Sequence, residues 1–208
     1  MTIGDLLFIL LFLATVVALI AALVMAVRRS GKAARLLRVL GIVWVVYLAV
    51  VFVVAAATPQ QVVPFGQDLC FDDMCFAVVQ ARTVPELFAG GQAVRPGGSF
   101  TVVTVRVSNH GRGRAQRELG IRPRLWHAGE SFDVSAAGQK AWDESNGSTP
   151  RLTDRVQAGE SFLSDAVFDV PGTVMDAGLA IDHGFTPGYF VIGESPLLHK
   201  PTILRLTH

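Results

Sequence analysis

The two cysteines are the residues of this chain that are most able to do chemistry. Cys70 and Cys75 enclose four residues and are the only cysteines in the sequence. Outside the cytoplasm such a pair is oxidised, so we expect a structural disulfide that closes a tight turn. Three alternatives stay open: a thiol-redox pair, although C-x-x-C is the usual redox spacing, two free thiols, or a soft-metal site. Thiolate and thioether ligands suit Cu(I), with Met74 and His199 as further ligands.

Three acidic residues lie around the same turn. Asp68, Asp72 and Asp73 could bind Ca²⁺, but the ordered Asp-x-Asp-x-Asp-Gly spacing of a calcium loop is missing. A solvated turn is the expected role of these residues, and no metal or cofactor is predicted for the chain.

Arginines are concentrated in one later stretch, from Arg106 to Arg124, where only Glu118 offsets six of them. The guanidinium offers a bidentate fork, so this stretch could bind a phosphate, a lipid headgroup or an acidic partner. An ordinary solvated loop is the alternative. Aromatic residues do not interleave with the arginines, which argues against binding to single-stranded nucleic acid. The candidate partner-binding residues are Arg112, Arg114, Arg117, Arg122 and Arg124.

The other polar residues form no known catalytic motif. Gly-x-Ser-x-Gly, His-Glu-x-x-His and the phosphate-binding glycine loops are absent. None of the five histidines pairs with another at metal spacing, so we expect them to be structural. We expect Trp126, Trp142, Phe132 and Phe168 in the core, although polar neighbours leave the exposure of Trp142 open. The chain is therefore predicted not to be an enzyme.

Composition divides the 208 residues into an apolar and a polar part. Hydrophobic residues make up 51% and charged residues 17%, with a net charge of +1. These values exclude a disordered chain and argue against a dedicated nucleic-acid-binding protein. Most of the apolar excess lies in residues 1–57, whereas residues 58–208 hold 13 basic and 16 acidic residues. The first part is typical of a membrane segment and the second of a slightly acidic domain.

Two uncharged runs predict transmembrane helices over about 6–27 and 39–57. Roughly 20 helical residues cross a hydrocarbon core of about 30 Å. Residues 28–38 hold five basic residues and no acid, and the positive-inside rule places this loop in the cytoplasm. Both termini are then expected outside the cytoplasmic (inner) membrane of a bacterium. The alternative for the second run is a signal peptide that is cleaved after Ala57.

Small residues recur at every fourth position of the first run, and such residues let helices pack closely in lipid. Packing within the hairpin, against Gly41 and Ala49, and a homo-oligomer through this face are both open. Neither run has an ionisable residue at its centre, so transport by the hairpin alone is not expected. The small residues are Ala14, Ala18, Ala22 and Ala26.

After a linker and disulfide turn at 58–74, residues 75–208 predict an all-β immunoglobulin-like sandwich. Ser99–Asn109 is the clearest strand, because valines alternate there with polar residues. Ala128 and Gly129 are expected to form a hairpin turn, and 83–89 a helical turn, with no other helix. The other predicted strands are 75–81, 121–128, 130–135, 161–170, 177–182 and 202–207.

Three segments of this domain resemble a known group of proteins. Residues 98–109 form a Val-rich strand that ends in Asn, 158–162 contain a Gly-Glu turn, and 167–171 end a strand with Phe-Asp-Val-Pro. Residues 75 to about 182 thus resemble the bacterial telokin-like, immunoglobulin-like extracellular domains of unknown function. Ala158 stands where that family often has Pro. The resemblance implies the fold and an envelope location, and it carries over no catalytic residues.

The expected function is a non-catalytic binding or scaffold module of the bacterial envelope, anchored by the two helices. Its expected partners are the lipid bilayer and an envelope protein or another anionic partner. The alternative function is thiol-redox or copper-handling chemistry at Cys70 and Cys75.

Overall fold

A computed structural model describes residues 3–28, 31–172, 177–182, 190–192 and 201–207. The chain divides into two compact units. Among the described residues, the first unit holds the N-terminal helices and residues 190–192, and the second holds the β-strands that follow Gln60. His183, His199 and His208 lie outside the described residues.

The two apolar runs form helix α1, Ile3–Val27, and helix α2, Lys32–Ala57. Both helices begin earlier than predicted. Arg35 and Arg38 belong to the first turns of α2, because lysine and arginine are good helix formers. Both helices are long and apolar enough to cross a membrane, and only 6% and 11% of their most apolar stretches are buried. The core helix of a soluble protein would be mostly buried.

The packing of α1 on α2 differs from the predicted stripe of small residues. Ala22 is buried, but Ala14 and Ala26 are exposed, as are Gly41 and Ala49 on α2. A step of four residues turns about 40° too far around a helix, so a strict four-residue stripe leaves the contact face. Apart from Asp5, the least exposed positions of α1 instead alternate steps of four and three, and they are Gly4, Phe8, Leu11, Thr15, Ala18, Ala22 and Met25.

The second unit is a β-sandwich, as predicted. In chain order its strands are β1 (Val62–Val63), β2 (Leu69–Phe71), β3 (Met74–Val84), β4 (Leu87–Ala89), β5 (Gln92–Val94), β6 (Ser99–Asn109), β7 (Arg122–His127), β8 (Glu130–Asp133), β9 (Ser161–Val170), β10 (Gly178–Asp182) and β11 (Ile203–Arg205). Within the described residues, the front sheet has the order β2-β3-β6-β9 and the back sheet the order β1-β11-β10-β7-β8. A separate small hairpin pairs β4 with β5.

The main core lies between the two sheets. Val103, Val105 and Val107 of β6 point into it, as their alternation predicts, and they pack with Phe76 and Phe168. The predicted hairpin turn between β7 and β8 is confirmed. Its residues Ala128 and Gly129 have φ values of 50° and 87°, the left-handed backbone that suits a two-residue hairpin.

Two secondary-structure predictions were wrong. The segment 83–89 is not a helical turn, since it contains the end of β3 and all of β4. A third helix, α3, spans Ala136–Asn146, where no helix was predicted. Ser135 caps it, and its buried face is only Gly138, Ala141 and Trp142. A helix with so few apolar positions has no 3.6-residue hydrophobic repeat to reveal it.

Trp142 is part of a second, smaller core, and its exposed fraction is 4%. This core lies on the outer side of the front sheet, between α3 and strand residues such as Phe100 and Val102. The indole Nε1 donates to Asp165 Oδ2 at 3.0 Å, which satisfies the buried polar group. The core role expected of Trp142 therefore holds, and its polar neighbours in sequence reflect the outer face of α3.

Candidate functional site

The disulfide closes the hairpin of β2 and β3 at one end of the front sheet. Cys70 and Cys75 lie opposite each other in the register, with Cα atoms 4.0 Å apart. In a two-residue hairpin this is the pair next to the closing hydrogen-bonded pair, where side chains approach most closely. Asp72 in the turn has a φ of 52°, which Asp tolerates better than most residues. Cys75 is buried and Cys70 is exposed.

His110 lies beside this disulfide, although 35 residues separate it from Cys75 in sequence. Its Nδ1 is 3.7 Å from Cys75 Sγ, and its Nε2 is 3.3 Å from the hydroxyl of Ser108. The contact arises because β6 pairs with β3, which places Ser108 opposite Cys75 and Asn109 opposite Met74. Sequence reasoning assigned His110 a structural role, since no neighbouring residue in the chain showed a metal spacing.

Asn109, which ends β6, organises the loop that carries the arginines. Its side chain is fully buried, and Nδ2 donates to the carbonyl oxygens of Arg114 and Val156 at 3.1 and 3.0 Å. Its Oδ1 accepts from Gly111 N at 2.9 Å. The backbone of Asn109 also bonds to the Gly-Glu turn of the resemblance, through Gly159 N and Glu160 O. Two of the three resembling segments therefore meet at this asparagine.

The arginines fall into two groups. Arg106 and Arg124 pair with Asp68 and Asp133 at 3.0 and 3.1 Å. The other four arginines are exposed. Three of them, Arg112, Arg114 and Arg117, lie on the loop after β6, which we call the arginine loop. In the described part of the chain, no ion pair joins these three side chains to a carboxylate.

Arg122 and Arg124 do not belong to the arginine loop. Both lie on β7, on the face opposite to the core residue Leu125, so they project from the outer side of the back sheet. The structure therefore separates the five candidate arginines into three on a loop and two on a strand.

Two of the three acidic residues around the disulfide form hydrogen bonds with neighbouring side chains, and the described carboxylates do not group around one point. Asp68 accepts from Arg106, and Asp73 Oδ2 accepts from the side-chain amide of Gln116 at 2.9 Å. Among the described residues, the grouping of side chains that could hold a metal ion is Cys70, Cys75 and His110. The arrangement of the carboxylates fits the solvated turn that was expected of them.

A cleft of about 790 Å³ beside α3 is a feature that sequence reasoning missed, because it depends on the unpredicted helix. Buried apolar residues, including Ile121 and Leu152, line it together with the exposed Lys140 and Arg151. Its size lies in the range of small-molecule sites, about 300–1,000 Å³. The carboxylate of Asp165 also lines the cleft. It accepts hydrogen bonds from Thr104 and Trp142, so its role there is structural.

The chain is similar to solved structures of uncharacterised or secreted proteins. A conserved hypothetical protein from Bacillus anthracis is 12% identical, with a TM-score of 0.44, over 58% of this chain and 88% of that chain. The secreted protein MPT63 from Mycobacterium tuberculosis is 16% identical, with a TM-score of 0.43, over 62% and 94%. An uncharacterised β-sandwich protein from Clostridium difficile 630 is 11% identical, with a TM-score of 0.42, over 72% and 96%. No family model and no curated protein sequence matches the chain.

Proposed function

We propose that this protein is a non-catalytic binding module of a bacterial envelope. Helices α1 and α2 anchor it in the cytoplasmic membrane, and the β-sandwich lies outside the cytoplasm. There the arginine loop binds an anionic partner, such as an acidic surface of another envelope protein. The lipid bilayer is the second partner, through the two helices.

The observation that carries this proposal is the contrast among the arginines. Arg106 and Arg124 are used within the fold, since each pairs with a carboxylate. The arginine loop presents three exposed guanidinium groups. The buried side chain of Asn109 fixes the backbone of this loop, because it donates hydrogen bonds to the carbonyl oxygens of Arg114 and Val156. A rigid backbone lowers the entropy that binding must overcome, and several like charges raise the rate of encounter with an anion.

The proposed location has three supports. Large apolar side chains cover both helices and are exposed, for example Val17 at 67% and Val45 at 68%, so lipid is their natural surroundings. The basic residues between the two apolar runs favour a cytoplasmic position for that connection by the positive-inside rule. A disulfide between the only two cysteines fits an oxidising compartment for the β-sandwich.

The experiment compares proteins that are retained by three versions of the full chain from detergent-solubilised envelopes. They are the wild type, a loop variant with Arg112, Arg114 and Arg117 changed to Ser, and a control variant with Arg95, Lys140 and Arg205 changed to Ser. Both variants lose the same charge from exposed positions, and such changes cost under about 0.5 kcal/mol each in stability. Quantitative mass spectrometry then measures each retained protein.

We expect the wild type and the control variant to retain the same partner, and the loop variant to lose it. Added salt should mimic the loop variant, because exposed charges are screened beyond about 8–10 Å. Retention of the same proteins by the loop variant, at low and high salt alike, would exclude the arginine loop as the binding surface.

A further inference from the structure

We propose that Cys70, Cys75 and His110 form a binding site for one Cu(I) ion, which opens when the disulfide is reduced. The ligand atoms of these residues, two sulfurs and Nδ1, all lie within 4.8 Å of one another. The Sγ of Cys75 is already 3.7 Å from Nδ1 of His110. Metal–nitrogen and metal–sulfur bonds are about 2.0–2.3 Å long, so three ligands around one ion lie about 3.5–4 Å apart.

His110 is held in the orientation that a ligand needs. Its backbone N–H donates to the carbonyl oxygen of Asp73 at 2.7 Å, which ties it to the turn between the cysteines. The hydroxyl of Ser108 lies 3.3 Å from Nε2. In the tautomer that donates Nε2–H to Ser108, the lone pair of Nδ1 points toward the sulfurs. A metal-binding histidine usually donates its second ring N–H to such a partner, which fixes the tautomer and the ring.

The site forms in two balanced steps. A dithiol reductant first supplies two electrons and two protons, so that the bond between the two sulfurs breaks, two thiols form, and the reductant becomes a disulfide. Cu(I) then replaces the two thiol protons and is bound by two thiolates and one imidazole nitrogen. The copper keeps its oxidation state in this second step, and the two protons go to solvent.

The donor set and its exposure favour Cu(I) over the other common ions. Thiolate and imidazole ligands suit soft cations, whereas Ca²⁺ and Mg²⁺ require oxygen ligands. A closed structural zinc site needs four protein ligands, and the described residues offer three at this point. Cys70 and His110 are exposed, so an ion can reach them from solvent, while the buried Cys75 lies beneath them.

The test titrates Cu(I) into the full chain in detergent under anaerobic conditions, in competition with the chromophoric chelator bathocuproine disulfonate. One sample is first reduced with dithiothreitol, which is then removed, and the other stays oxidised. We expect the reduced wild type to take one Cu(I) per chain from the chelator and the oxidised protein to take none. The variant His110→Asn should bind about tenfold more weakly or worse, whereas the control His127→Asn should match the wild type.

X-ray absorption at the copper edge gives a second readout that does not depend on any variant. It should report two sulfur ligands and one nitrogen ligand around the ion in the reduced wild type. A reduced wild type that takes no copper from the chelator would overturn the proposal. Equal affinities of the wild type and a folded His110→Asn variant, or a copper ion bound by two sulfurs alone, would overturn the role of His110.

Discussion

Asn109 is a single residue whose side chain determines where the arginine loop lies. Its three side-chain hydrogen bonds reach Gly111, Arg114 and Val156, and it is fully buried. Each buried hydrogen bond contributes about 1 kcal/mol net, and its loss leaves the partner unsatisfied. The identity of this residue therefore affects both the stability of the sandwich and the geometry of the proposed binding surface.

The first prediction is that Asn109→Ala destabilises the protein by about 2–3 kcal/mol and lowers the melting temperature by roughly 5–10 °C. Near-UV circular dichroism of the full chain in detergent, followed during heating, measures this change. The matched control is Asn146→Ala, whose exposed side chain makes one hydrogen bond, to the carbonyl oxygen of Trp142 at 3.2 Å. Equal melting of Asn109→Ala and the wild type would contradict the role of Asn109.

The second prediction concerns the cysteines as a structural bridge. Changing both Cys70 and Cys75 to Ser should cost about 2 kcal/mol or less and leave the fold in place, because the loop that they close is small. Thermal unfolding measures the cost, and mass spectrometry should show the non-reduced wild type two hydrogens lighter than the dithiol form. Loss of folded protein in the double variant would mean that the hairpin of β2 and β3 depends on the bridge.

Among single residues, the sequence predicted the pairing of Cys70 with Cys75 but not the position of His110. The cysteine pair is local, and five residues of chain bring the two sulfurs together. His110 reaches the disulfide only through the register of β3 against β6, which pairs Met74 with Asn109. That register includes a bulge between Val78 and Gln80, and no pattern in the sequence specified it.

Among the elements, the strands were predictable where residue types alternate along the sequence, and the third helix was not. β6 and β9 were both predicted at their observed bounds from this alternation, although β6 is buried on both faces because the second core covers its outer side. α3 packs by close approach of its backbone instead of through a broad apolar face. A Cβ atom at Gly138 would lie 2.8 Å from Phe100 Cε1 and 2.9 Å from Val167 Cγ1.

The third prediction follows from that close approach. Gly138→Ala should destabilise the protein by about 1–2 kcal/mol, because overpacking against buried side chains outweighs the better helix propensity of Ala. The matched control is Gly97→Ala, since a Cβ there would have its nearest contact at 3.8 Å, from Asp169 Oδ1. Thermal unfolding of both variants measures the difference, and a Gly138→Ala variant more stable than the wild type would contradict the packing of α3.

The contact face of α1 has a different repeat from the one predicted from the sequence. The alanine stripe suggested a contact face with a repeat of four, whereas the observed face of α1 repeats every 3.5 residues, as in left-handed helical pairs. Thr15 lies on this face and accepts a hydrogen bond from Trp44 Nε1 of α2 at 3.0 Å. A homo-oligomer through Ala14, Ala18, Ala22 and Ala26 stays a prediction, and the exposed Ala14 and Ala26 are its available positions.

For the whole molecule, composition predicted the division into an apolar and a polar part, and the alternation of short segments predicted the β-sandwich. Two uncharged runs separated by basic residues indicate a helical hairpin, and the short alternating segments that follow indicate strands. Local pattern and composition therefore agree on the same fold. The function was less predictable, because a β-sandwich serves many activities and only its surface residues distinguish them. The two functions proposed above depend on the exposed arginine loop and on the disulfide with His110.

Membrane topology is the most direct test of the proposed function, because the oxidised cysteines and the envelope partner both require a sandwich outside the cytoplasm. A reporter that is active only in the cytoplasm is inserted at Gly31 in one version and fused after His208 in another. The five basic residues at 28–38 predict activity at Gly31 and none after His208. Activity of the fusion after His208 would place the β-sandwich in the cytoplasm and contradict the account.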